Sequence, residues 1–354
     1  MQNPIKGMAI LFLSATLGIS ANIRTIASTV PANGDVNPYG VAVIPRTVGA
    51  LVAHNVLVSN FNNAKNLQGT GTTIVQITPS GKVSLFAEIK GPLPGTCPGG
   101  VGLTTALAVL SSGWVIVGSL PTTDGTSATA QAGCLIILNN QGQPVETFSD
   151  SNINGPWDMT ALDLGGAAVL FVSNVLNGTV AGNGQPVAEG TVLRILLSIP
   201  EDGTPHMVNE TIIGSGFSER TDPAALVIGP TGMGLASNGT LYVADTLANR
   251  IAAIPNAVTR NTSGGTGTTV AQGNGLNGPL GLAVEANGGI LTVNSNDGNL
   301  VETSPQGQQL SVVNIDTTGI GGGTLFGLAV TPGGVYFVND GNNTLNLLRG
   351  NAAL

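Results

Sequence analysis

Six polar residues each close an apolar run in this 354-residue chain: Asn60, Ser119, Asn174, Asp245, Ser295 and Asp340. The runs read Val56-Leu-Val-Ser-Asn60, Leu241-Tyr-Val-Ala-Asp245 and Tyr336-Phe-Val-Asn-Asp340, with three relatives. Carboxylates and carboxamides gathered in one place can hydrogen-bond a polar ligand. No cofactor is required by these residue types, but Asp245 and Asp340, helped by Asn60 and Asn174, could also offer some oxygen ligands to calcium. Upstream in the same units stand Tyr39, Trp157 and Phe326, with Leu280 at the matching place. Aromatic faces stack on sugar rings and peptide groups. The set predicts a shallow cup that takes a neutral glycan, a peptide or a protein partner. A purely structural role competes with this: terminal Asp and Asn side chains bond backbone at tight turns, and the aromatics fill an apolar interior.

Histidine is nearly absent. His54 and His206 are the only two, and both precede strand-like runs at the end opposite the six polar residues. A Ser-His-Asp triad or a three-histidine metal site is not expected. Asp158, Glu189 and Asp222 are further acids on the polar side, but no two form an acid/base motif.

Charge is scarce: 11 Lys and Arg against 19 Asp and Glu, 8% of the chain, where a soluble domain carries roughly 25%. Disorder would need high charge and low hydrophobicity, yet 42% of residues are hydrophobic. Nucleic acid is excluded as a partner by the net charge of -8 and the lack of a Lys/Arg cluster. Residues 1–21 read as a secretory signal, with Lys6 as its charge, an apolar run from Met8 to Leu17 and small residues at Ser20 and Ala21. The mature chain, residues 22–354, is then expected to be a single domain, monomeric, and secreted or periplasmic. Without Lys6 its balance is 10 against 19, a net of -9. The uncharged run from Gly102 to Leu120 is broken by Ser111-Ser-Gly113 and reads as two strands and a turn, so no membrane span is expected. Cys97 and Cys134 are the only cysteines, and in an exported chain they predict one disulfide.

One unit recurs six times. It begins Gly40-Val-Ala-Val43, Thr105-Ala-Leu-Ala-Val109, Trp157-Asp-Met-Thr-Ala161, Gly234-Leu-Ala236, Gly281-Leu-Ala-Val284 and Gly327-Leu-Ala-Val330. Each start leads into one of the polar-ended runs and then into two further strand-like segments, with Gly and Asn at the turns. Four short strands taken six times is the pattern of an all-β, six-bladed propeller. The last unit lacks its outer strand, and the segment Ile23-Arg-Thr-Ile-Ala-Ser-Thr29 is expected to supply it. Loops after the second strands are long at 61–71, 120–132 and 175–189 and tight in the last three units, which marks one face and one half-ring as special.

Gly278-Pro-Leu-Gly-Leu-Ala283 and Leu241-Tyr-Val-Ala-Asp-Thr-Leu-Ala-Asn-Arg250 resemble the repeats of the NHL propeller family. The resemblance spans about residues 37–350 and implies the fold more than the function. Related propeller lactonases of the gluconolactonase type hold a divalent metal, and their pattern includes Glu-Gly-Pro near the first blade. Here that stretch is Asn37-Pro-Tyr-Gly40. The related amidating and antibiotic lyases use histidine, which is short here. The resulting expectation is a secreted binding or scaffold module. A divalent-metal-dependent hydrolase or lyase and a structural envelope protein are the alternatives.

Overall fold

The computed structural model describes residues 22–349, so the proposed leader lies outside the described residues. Its order begins with β1 (Asn22–Ser28), which joins the last blade. Blade one is β2 (Val36–Val43), β3 (Val56–Asn62), β4 (Thr73–Ile77) and β5 (Val83–Glu88). Blade two is β6 (Leu103–Val109), β7 (Val115–Ser119), β8 (Cys134–Leu138) and β9 (Pro144–Phe148). Blade three is β10 (Pro156–Asp163), β11 (Ala167–Asn174), β12 (Val187–Ser198) and β13 (His206–Asp222), extended by β14 (Leu226–Ile228). Blade four is β15 (Pro230–Leu235), β16 (Leu241–Asp245), β17 (Arg250–Ile254) and β18 (Thr268–Gln272). Blade five is β19 (Pro279–Val284), β20 (Ile290–Asn294), β21 (Asn299–Thr303) and β22 (Gln309–Asn314). Blade six is β23 (Leu325–Thr331), β24 (Gly334–Asn339) and β25 (Thr344–Arg349). Every blade is an antiparallel meander, and the whole is a six-bladed β-propeller with almost no helix.

Burial explains the composition. Second strands such as β3, β7, β16 and β20 are buried at every position. Neighbouring blades cover both of their faces, so they read as continuous apolar runs and not as alternations. The outer strand β22 alternates between half-buried and exposed positions, because one of its faces meets water.

The glycines that open the repeats sit where inner strands touch. A Cβ on Gly327 would run into the Tyr39 carbonyl of blade one, and one on Gly281 into the Phe326 carbonyl of blade six. In blade four this place belongs to Gly232, two residues before the Gly234 that begins the unit in the sequence, and it stands in the same relation to Leu280, as Gly40 does to Thr105. Hydroxyls reinforce the contact. Ser59 Oγ donates to Thr104 O at 2.8 Å, Ser173 Oγ to Thr231 O at 2.9 Å, and Thr246 Oγ1 to Pro279 O at 2.8 Å, each reaching the next blade.

β1 closes the ring as expected. It pairs antiparallel with β25 from Asn22↔Arg349 to Ser28↔Thr344. Asn60 Nδ2 then donates to Thr29 O at 3.1 Å, which fastens the following segment to blade one. The Cys97–Cys134 disulfide is present, with 37 residues of separation, and ties the approach to blade two to its third strand. One departure stands out against four strands per unit. β13 runs for 17 residues, and its end turns back at Pro223 to pair Arg220↔Ile228, Thr221↔Val227 and Asp222↔Leu226.

Gly327→Ala is expected to cost about 3 kcal/mol through overpacking between blades one and six. Gly166→Ala, where a new methyl would meet nothing within 4 Å, should cost far less. Denaturant midpoints of the two variants check the difference.

Candidate functional site

The three aromatics converge at the channel mouth, inside the protein. Tyr39 stacks on Phe326 with ring centroids 3.8 Å apart and on Phe61 at 4.4 Å. Trp157 donates its indole N–H to Val227 O at 3.0 Å. None of the three is more than 3% exposed. They share an apolar cluster with Leu280 and with Leu226, Val227 and Ile228 of the β13–β14 hairpin, which covers the mouth. Its tip reaches the long loop of blade one, where Gln68 Nε2 donates to Pro223 O at 2.8 Å. The hairpin was not foreseen, although Asp222-Pro223 followed by an apolar triplet is a turn signal.

The six polar residues are mostly taken up by their own loops. Asn60 also donates to Thr73 Oγ1 at 3.2 Å. Ser119 Oγ accepts Gly102 N–H and donates to Gly100 O. Asn174 Oδ1 accepts Gly155 N–H at 3.3 Å. Asp245 is ion-paired with Arg250 at 2.8 Å, and both side chains are nearly buried. Ser295, half-buried, donates its backbone N–H to Gly278 O. Asp340 donates its backbone N–H to Thr324 O. Burial pushes its carboxyl up to about 7, and the charge of Asp316 adds to this. Burial likewise raises the Tyr39 hydroxyl, with Asp340 and Asp222 contributing. That hydroxyl has no hydrogen-bond partner. His54 and His206 are exposed at the opposite face, His54 in a turn and His206 at the start of β13.

A cleft of about 680 Å³ opens beside the hairpin, on the half-ring with the tight loops. Its floor is apolar, built from Leu247, Leu280, Leu325 and Phe326. Its rim carries Thr246, Asn249, Asn277, Ser295 and Asn296. The hairpin supplies the wall with Arg220, the only cation in the lining, and Asp222. Their side chains are 3.2 Å apart. Asp222 Oδ1 also accepts the Ala224 and Ala225 N–H groups at 2.9 and 3.2 Å, which fixes the carboxylate. Ser295 and Phe326 of the expected set line this cleft, whereas Tyr39, Asn60, Ser119, Trp157, Asn174, Asp245 and Asp340 do not. Arg220 escaped the sequence reading because it lies in the hairpin and outside the repeat.

Below the mouth, the inner strands enclose a channel cavity of about 220 Å³. Asp158 is its only ionisable lining residue. It stands at the position that four other blades give to glycine. Its backbone N–H donates to Ser173 Oγ at 3.1 Å, as that of Gly40 does to Ser59 Oγ. Its carboxylate accepts the Met233 N–H of the next blade at 2.9 Å. Burial pushes the carboxyl up to about 7, against the pull of that bond.

Comparison with known proteins agrees with this architecture. Residues 219–327, which include the cleft's hairpin and most of its rim, match the family model described as the SMP-30/gluconolactonase/LRE-like region. No curated protein sequence matches. Among solved structures, a gluconolactonase from Xanthomonas campestris is 13% identical, with a TM-score of 0.58 over 94% of this chain and 90% of that one. A virginiamycin B lyase from Staphylococcus aureus is 15% identical, with a TM-score of 0.53 over 95% and 87%. An aldose sugar dehydrogenase from Streptomyces coelicolor is 16% identical, with a TM-score of 0.55 over 93% and 97%. At these identities the likeness is one of fold: this is a propeller of the broad type that those enzymes share. A metal at the channel mouth does not fit the residues present. The inner strands offer Tyr39, Thr105, Trp157, Thr231, Leu280 and Phe326 there. No three His, Cys, Asp or Glu gather anywhere among the described residues. No helix among them is long and apolar enough to cross a membrane.

The Asp158 shift has a defined sign. The folded protein keeps this proton up to about pH 7, while the unfolded chain releases it near 3.8. The stabilisation is therefore complete below about pH 4 and is lost as pH rises to 7. Between pH 5 and 8 the wild type should lose about 3 kcal/mol more than Asp158→Asn. Denaturant melts of both proteins at the two pH values test this, and parallel losses would show that Asp158 does not carry the effect.

Proposed function

We propose that the protein is an exported propeller enzyme of the hydrolase or lyase type. Its substrate is a small, neutral, hydroxylated ring compound with a carbonyl group, of which a sugar lactone is the model. The carrying observation is the Arg220–Asp222 pair set over an apolar floor and beneath a rim of neutral amides and hydroxyls. The floor takes one face of the ring, and the rim takes its hydroxyls. Arg220 polarises the carbonyl and meets the charge that develops on its oxygen. Asp222, held by two backbone N–H groups, accepts the proton of the attacking water. The partial match to the gluconolactonase-like family over 219–327 supports this reading. The leader-like N-terminus and the disulfide support export, to the periplasm or beyond. The repeat itself we take to be NHL-like, on Gly-Leu-Ala and Tyr-Val-Ala-Asp.

A second reading is a binding module that holds the same ligand without turnover. The observation in its favour is that the cleft is lined by no His, Cys, Lys or Glu.

Glucono-1,5-lactone at neutral pH is the probe, with acid release followed by an indicator. The wild type should accelerate ring opening, and Arg220→Met should lose about 100-fold or more. Calorimetric binding of the lactone without turnover, weakened by Arg220→Met, would favour the binding module. Neither binding nor turnover would overturn both readings.

A further inference from the structure

A second polar cluster lies at the base of the same hairpin, away from the cleft. Glu219 of β13 is fully buried. Its Oε1 accepts the Asn177 backbone N–H at 2.8 Å, and its Oε2 has no partner. On the paired strand β12, where Val187 lies opposite Glu219, stands a second carboxylate, Glu189. Two glycines make room for the pair. A Cβ on Gly190 would lie 3.1 Å from Glu219 Oε2, and one on Gly178 would lie 3.0 Å from Glu189 Oε2. Next to them, Asn154 Nδ2 donates to Asn177 Oδ1 at 2.6 Å, leaving Asn154 Oδ1 and Asn177 Nδ2 without partners. Turning both carboxamides over would exchange these roles, so one amide oxygen of the pair stays free in either orientation.

Burial pushes the Glu219 carboxyl up to about 8, with the Glu189 charge adding to this, and no protein cation is paired with either group. The ion pairs among the described residues are Glu88–Lys90, Asp222–Arg220 and Asp245–Arg250. A buried carboxylate group is costly unless paired, hydrogen-bonded or bound to a metal. The donors are all oxygen, with neither thiolate nor imidazole, which selects a hard cation over zinc or copper. Glu189 and Gly178 are exposed, so the site opens to solvent on one side while Glu219 forms its floor.

We propose that Glu219, Glu189 and the free amide oxygen of the Asn154–Asn177 pair bind one calcium ion. The ion fastens the root of the β13–β14 hairpin to the 175–186 loop. This site is independent of the lactone reading.

Calorimetric titration of the chelator-treated full chain with calcium chloride is the test, together with melting in millimolar calcium or EDTA. The wild type should bind one ion per chain, and calcium should raise its melting temperature by a few degrees, because the ion binds only the folded state. Glu219→Gln keeps an oxygen for the Asn177 N–H and should abolish both effects. Glu189→Gln should weaken binding at least tenfold, and Glu201→Gln, on the opposite face, should leave it unchanged. If Glu219→Gln does not fold, the exposed Glu189 decides by the same criterion. An absence of binding by the wild type, or wild-type affinity in the deciding variant, would overturn the proposal.

Discussion

Around the axis, the backbone of four of the six inner strands rests against a carbonyl of the next one, at Gly40, Gly232, Gly281 and Gly327. Most other features follow from that approach. It leaves no room for side chains between strands, so the residues just before these glycines must point up into the mouth. There Tyr39, Leu280 and Phe326 are pressed together. It sets the second strands between two blades, which buries them along almost their whole length and makes their first residues apolar. It also aligns the hydroxyls of Ser59, Ser173 and Thr246 with the next blade's carbonyls, so that these three junctions are bonded as well as packed.

The same approach explains what was readable in the sequence. A glycine demanded by contact recurs at the same place in four of the six units, with Ala106 and Asp158 in the other two, and so the blade number, the inner strands and the turns were legible. The supply of the sixth blade's outer strand by 22–28 followed from counting strands. The Cys97–Cys134 bridge followed from there being only two cysteines. The site was less legible. Trp157 and Tyr39 were expected as open ligand faces, yet a strand-start aromatic looks the same in sequence whether water or a hairpin covers it. The cover, residues 219–228, lies outside the repeat and is bonded to the long loop of blade one through Gln68 and Pro223. Long-range contacts of that kind leave no periodic trace.

The hairpin also redistributes the working surface. The long loops of blades one to three drew attention to one half of the mouth, but the cleft lies over the tight loops of blades four to six. Low loops leave space there, and the hairpin provides the missing wall. Asp158 makes a similar point within the ring. Where four blades place a glycine, blade three places a carboxyl that bonds the Met233 N–H of the next blade. The interblade link is kept, but it becomes sensitive to protons.

The pairing of β1 with β25 has a bearing on how the molecule is made. Asn22 and Arg349 are partners across nearly the whole chain. During synthesis the first strand appears with no blade to join, and it waits until the last one has formed. Five blades can collapse locally in chain order, since each is a meander of neighbours. The ring as a whole is completed by one distant pairing, whose loop-closure entropy must be met late. An interrupted chain therefore carries two open edges at once, one at each end of an arc, and has no partial ring to settle into.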